Sequence, residues 1–140
     1  VQFLLDGDTL QASGDLKGAA EQYGKAAQAT LVPPDSANLR ARALIELGRL
    51  SARAGATSEA LDLCKRALDV APMFEPAHVM TGKVLFHMDR LDESAETLSN
   101  AAALNKNGSG SLDLHLSLGR LAVARGNMDV AAQAFGTALE

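Results

Sequence analysis

The 140-residue chain has no tryptophan, one tyrosine, four phenylalanines, four prolines and one cysteine. So few aromatic residues, beside abundant Ala and Leu, argue against a β-sandwich, which draws on Val, Thr and Tyr. They favour helices packed closely through small side chains. The single cysteine, Cys64, excludes an internal disulfide and suits a reducing compartment such as the cytoplasm, though the location stays open. No apolar run approaches the 18 residues of a membrane span, and no basic-then-apolar leader stands in this sequence. Excess positive charge is missing too. A net charge of −4 and a pI near 5.3 argue against a nucleic-acid binder, because phosphate neutralisation needs clustered Lys and Arg. The first residue is Val1 rather than Met, so a processed product or a piece of a longer protein is expected.

What the chain does have is repetition. LGRLSARAG at residues 47–55 nearly recurs as LGRLAVARG at 118–126. Aligning on the internal glycine gives Gly7, Gly48, Gly82 and Gly119, separated by 41, 34 and 37 residues. Seven residues later come Gly14, Gly55, Asp89 and Gly126, and five further on Ala19, Ala60, Ser94 and Ala131. Then follow Tyr23, Cys64, Leu98 and Phe135, and finally Ala26, Ala67, Ala101 and Ala138. Five columns sharing the same offsets make a four-fold repeat.

One unit reads as two helices. Residues 43–54 place Leu44, Leu47 and Leu50 on one face, and Gly55 supplies a residue without Cβ that ends a helix in the left-handed conformation. Ala60, Leu61, Cys64, Ala67 and Leu68 then recur at i, i+3/i+4 spacing. Gly48 is expected to face Ala60, so that the axes approach toward the low end of about 8–10 Å. Pro72 closes the unit.

This pattern resembles the tetratricopeptide repeat, a helix-turn-helix unit of 34 residues. The resemblance covers essentially the whole chain and is strongest in the second repeat, L-x-x-L-G through A-L-x-x-C-x-x-A-L to Pro72. Departures exist: the family's Trp position holds Phe3, Leu44, His78 and His115, and its leucine before the glycine is Asp6 in the first copy and Thr81 in the third. The two irregular spacings correspond to longer linkers at residues 30–36, with Pro33-Pro34, and 106–111, with Gly108 and Gly110. The resemblance implies an all-α, right-handed superhelical solenoid of about eight helices in antiparallel pairs. It would be one domain over 1–140, with repeats at about 1–34, 41–74, 75–108 and 112–140. For want of a final capping helix, it is expected to be part of a longer protein or to end against another subunit.

No Gly-rich phosphate loop, His-Glu-x-x-His, Cys-x-x-Cys or nucleophile elbow is present, so an enzyme, a metal and a cofactor are not expected. His78 and His115 are expected as packed histidines, and Cys64 as a small buried filler. Asn107-Gly108-Ser109 matches a glycosylation sequon, a triplet that often arises by chance.

The residue after each column glycine is Asp8, Arg49, Lys83 or Arg120. In the fold the resemblance implies, that position faces the groove, so three successive repeats would present a basic row. Arg42, Glu46, Arg49 and Arg53 widen it along one stripe of the second repeat. Met80, Lys83, Phe86 and His87 extend it in the third, with Met80 and Phe86 expected as exposed apolar surface. These residues form a candidate site for a segment that is both acidic and apolar. The rival reading is a solvated face, in which Glu46 pairs with Arg42, Arg49 or Arg53 for a few tenths of a kcal/mol each. Unit charges roughly 10 Å apart in water repel by only about 0.4 kcal/mol, so the row stands without a ligand. The family's carboxylate clamp for chaperone C-termini is incomplete here, because Asp8 stands where its first Asn would be.

The expected function is therefore a protein–protein interaction scaffold that holds a partner segment in its concave groove, without nucleic acid or membrane insertion. The alternatives are a non-catalytic region of a larger multidomain enzyme and a structural segment that self-associates through its uncapped ends.

Overall fold

The computed structural model describes residues 2–28, 36–104 and 111–139. The predicted sequon at 107–109 and most of both longer linkers lie outside these residues. Among the described residues there are eight α-helices and no strand: α1 (Gln2–Ala12), α2 (Leu16–Gln28), α3 (Ser36–Arg53), α4 (Thr57–Val70), α5 (Glu75–His87), α6 (Leu91–Ala103), α7 (Leu112–Ala124) and α8 (Met128–Leu139). The chain divides into two compact units, Val1–Ala77 and His78–Glu140.

The predicted turns sit between the helices of each pair. Gly14, Gly55 and Gly126 take φ of 90°, 86° and 76°, the left-handed conformation that a side chain disfavours. The fourth member of this column, Asp89, holds φ 60° without being glycine. Polar side chains start two of the four second helices: Asp15 Oδ1 accepts from the Gly18 amide at 2.9 Å, and Asn127 Oδ1 from the Val130 amide at 3.3 Å.

In the unit Val1–Ala77, α1 lies against α2 and α3 against α4. A Cβ on Gly7 would come within 2.6 Å of Tyr23 Cε1, so only glycine lets that ring approach α1 so closely. Gly48 has looser surroundings, with Cys64 Sγ at 3.2 Å and the Ala60 carbonyl oxygen at 3.3 Å from the same imagined atom. Gly48 does face Ala60, as expected, yet the column a turn later fills the space. Cys64 and Tyr23 are both fully buried.

α3 starts at Ser36, earlier than the repeat boundary near 41 implied. Residues 37–43 read Ala-Asn-Leu-Arg-Ala-Arg-Ala, mostly strong helix formers with no breaker, so the helix extends backward. The extension is anchored: Arg40 Nε donates to the Ala27 carbonyl at 3.3 Å, one of the last-turn carbonyls of α2 that no helical amide reaches.

The unit His78–Glu140 repeats the scheme. Gly82 meets Leu98 and Gly119 meets Phe135, again with no room for a Cβ. Val79, Leu98, Ala101, Leu114 and Leu121 form a buried cluster, with Phe86, Leu91, Ala95 and Leu118 packed at its margin. Ser94 replaces the column alanine, and its buried hydroxyl donates to the Gly82 carbonyl at 2.8 Å, so the polar atom is satisfied.

Candidate partner-binding surface

The predicted residues behave differently in the two units. In Val1–Ala77, Arg42 reaches across to α1, where its Nη2 lies 2.6 Å from Asp8 Oδ2. Asp8 also accepts from the Tyr23 hydroxyl at 2.6 Å. Burial pushes the Asp8 carboxyl up, but the hydrogen bonds from Tyr23 and Arg42 and the Arg42 charge outweigh it, and the pKa ends below its ordinary value. The same contacts act on the partners. Burial first, then Asp8, raises the Tyr23 pKa; Asp8 chiefly raises that of Arg42. Arg49 donates through Nη1 to both oxygens of Glu46, at 3.0 and 2.9 Å, and Glu46 is itself only 7% exposed. Two of the three predicted cations on α3 are thus engaged in internal ion pairs. Arg53, near the helix end, is exposed.

In His78–Glu140, Lys83, Phe86, His87 and Arg120 come together. They line one small cavity of about 20 Å³ with Gly82, Leu98 and Ser117, close to the space of one water. The rings of Phe86 and His87 meet edge-on, 5.8 Å between centroids. Lys83 Nζ lies 3.2 Å from Asp113 Oδ1 in the first turn of α7. Arg120 is exposed and has no ion pair among the described residues.

Met80 departs from expectation. It is 7% exposed and offers no apolar surface to a partner. From Val79 to Leu85, α5 buries every position except Lys83, so an apolar side chain in that stretch is taken into packing. Phe86 is only half-buried and carries the apolar character alone. His78 and His115 are half-buried rather than enclosed.

Sequence reasoning missed Ser117. It occupies the repeat position two before the glycine, the position of Glu46 and Met80, and that equivalence was the available signal. The side chain is 6% exposed, lines the cavity, and its Oγ has no hydrogen-bond partner among the described residues.

A second, larger hollow of about 580 Å³ is lined by residues of α7, α8 and the turn between them, among them Leu118, Ala122, Arg125, Val130 and Ala134. None of the described helices is long and apolar enough to cross a membrane.

The tetratricopeptide repeat sequence model matches residues 4–75 and 79–140. The chain belongs to the tetratricopeptide repeat family. Tetratricopeptide repeats are all-helical and generally serve protein–protein interaction. No match is found among curated proteins. Among solved structures, MamA is similar at 24% identity and TM-score 0.69, over 95% of this chain and 72% of MamA. PilF of Pseudomonas aeruginosa is similar at 20% identity and TM-score 0.71, over 94% of this chain and 56% of PilF. A thermophilic tetratricopeptide repeat protein of Thermus thermophilus shares 20% identity at TM-score 0.56, over 99% of this chain and 89% of that one. At these identities the likeness establishes the tetratricopeptide fold shared by the chains.

Proposed function

We propose that the protein is a scaffold that binds a segment of a partner protein, and that the segment carries acidic and apolar residues. The observation that supports this reading most is the cavity in His78–Glu140, which Lys83 and Arg120 line together with the half-buried Phe86. A carboxylate there meets cationic charge while a neighbouring apolar side chain packs on the ring. Charge of this kind governs encounter rate and partner choice more than raw affinity. Arg49 and Arg42 contribute less, since they hold Glu46 and Asp8 at 2.9 and 2.6 Å, more closely than Lys83 holds the exposed Asp113 at 3.2 Å. The test is panning of a displayed peptide library against the protein and its Arg49→Glu, Lys83→Glu, Arg120→Glu variant, with matching helicity verified by circular dichroism. Enrichment of acidic-apolar peptides on the unaltered protein alone is the expected result. Equal enrichment on both proteins overturns the reading.

A second reading, self-association through a second copy, draws on the hollow over α7 and α8. Within Val1–Ala77 a third helix, α3, packs against α2, showing that helix pairs of this chain accept a further helix. Sedimentation across a hundredfold concentration range decides: a constant monomeric mass removes it.

A further inference from the structure

Ser117 poses a local chemical question. A serine inside a helix ordinarily returns its hydroxyl to the carbonyl four residues back. Thr9, Thr97 and Thr137 do so here, donating to Leu5, Glu93 and Gln133 at 2.9, 2.8 and 3.0 Å. The buried Ser94 instead donates to Gly82. Ser117 does neither, although it is only 6% exposed. A buried hydroxyl without a partner is costly, and it stands on the wall of the cavity that Lys83 and Arg120 flank.

We propose that Ser117, Arg120 and Lys83 form a subsite for a single carboxylate side chain of a partner, in which the Ser117 hydroxyl donates to one carboxylate oxygen. Arg120 and Lys83 neutralise the charge. The subsite is small: about 20 Å³ is close to the space of one water, room for one carboxylate oxygen. Phe86 borders the opening and sets the apolar side.

The site carries its own competitor. Asp113, in the first turn of α7, places a carboxylate oxygen 3.2 Å from Lys83 Nζ. In the free protein this internal carboxylate neutralises Lys83; a ligand carboxylate at Ser117 and Arg120 draws the ammonium away. Asp113 thereby lowers affinity and favours ligands able to reach Ser117 as well as a cation.

This inference rests on the partner-binding reading of the same cavity, and its test separates the two. The full chain, labelled with ¹⁵N, is titrated with N-acetyl-glutamate α-methylamide, with its glutamine counterpart and with inorganic phosphate. The carboxylate probe is expected to shift the amides of Ser117, Lys83 and Arg120, and the glutamine probe is not. Ser117→Ala is expected to weaken the carboxylate about tenfold, Ser117→Cys less, and Asp113→Asn to strengthen it a few-fold. Several results overturn the subsite: no shift, equal shifts with glutamine, tighter binding of phosphate, or undiminished binding by Ser117→Ala, which means that the hydroxyl holds water only. Peptide enrichment that persists while the subsite fails leaves the scaffold reading standing. Probe binding without any peptide enrichment overturns that reading and keeps the subsite.

Discussion

The Tyr23 hydroxyl lies 2.6 Å from Asp8 Oδ1, and the other oxygen of the same carboxylate lies 2.6 Å from Arg42. One acidic side chain on α1 thus joins α2 and α3, with Gln11 Oε1 a further 2.9 Å from the hydroxyl. Tyr23→Phe keeps the ring that fills the space over Gly7 and removes only the hydroxyl. The partly exposed carboxylate regains water, so a loss of about 1 kcal/mol is expected by urea unfolding.

The same group sets the pH response. The folded pKa of Asp8 is depressed, so the unfolded chain binds the extra proton as acid is added. Its contribution is present above the ordinary carboxylate range, near pH 4, and lost as pH falls through the folded value. Tyr23 acts at the other end: its pKa is raised from 10.0, so its contribution is present below pH 10 and lost as pH climbs. Unfolding midpoints between about pH 2 and 7 are expected to fall more steeply for the unaltered protein than for Asp8→Asn. Parallel curves contradict this assignment.

The glycine column gives a graded prediction. Gly7→Ala drives a methyl against the Tyr23 ring, at 2.6 Å from its nearest atom, and about 1–3 kcal/mol is expected from the forced shift. Gly48→Ala meets Cys64 and the Ala60 carbonyl at 3.2 and 3.3 Å, a contact relieved by a few tenths of an ångström. Its loss is expected below that of Gly7→Ala, partly offset by the helix preference of alanine. Thermal unfolding of the two variants orders them.

Asp89 marks a place where the repeat departs from its own rule. Its neighbours in the column are glycines, and it alone holds a side chain at φ 60°. Asp89→Gly is expected to raise stability by about 0.5 kcal/mol, relief of the left-handed strain being reduced by glycine's greater chain entropy. Gly55→Ala, at φ 86°, is expected to cost about 1 kcal/mol. A stability gain from Gly55→Ala contradicts the reading.

The repeat was legible because its chemistry is local and periodic. Gly7 with Tyr23 and Gly48 with Cys64 lie sixteen positions apart, and the same offset returns at Gly82 with Leu98 and Gly119 with Phe135. Turn glycines reveal backbone conformation directly. The site was less legible because exposure and pairing are not properties of a column. Met80 and Phe86 look alike as apolar residues six positions apart, yet one is enclosed and the other half-open. Arg49 and Arg120 share one column, but Glu46 stands three residues before the first and Ser117 before the second. That single difference engages one guanidinium and leaves the other exposed.

The contrast between these two arginines carries the last prediction. Arg49 donates to both oxygens of a buried glutamate, and a ligand carboxylate has to compete with that pair for it. Arg120 is exposed beside the unpartnered Ser117 hydroxyl and has no internal carboxylate to give up among the described residues. Arg120→Gln is therefore expected to weaken an acidic-apolar peptide selected by panning about tenfold, while Arg49→Gln changes it by less than about threefold. Fluorescence anisotropy with the labelled peptide measures both, and raising the salt from about 0.05 to about 0.5 M shrinks the Arg120 effect by screening. Equal losses from the two substitutions overturn the contrast, because a guanidinium already holding a buried carboxylate would then serve the ligand as well as an exposed one.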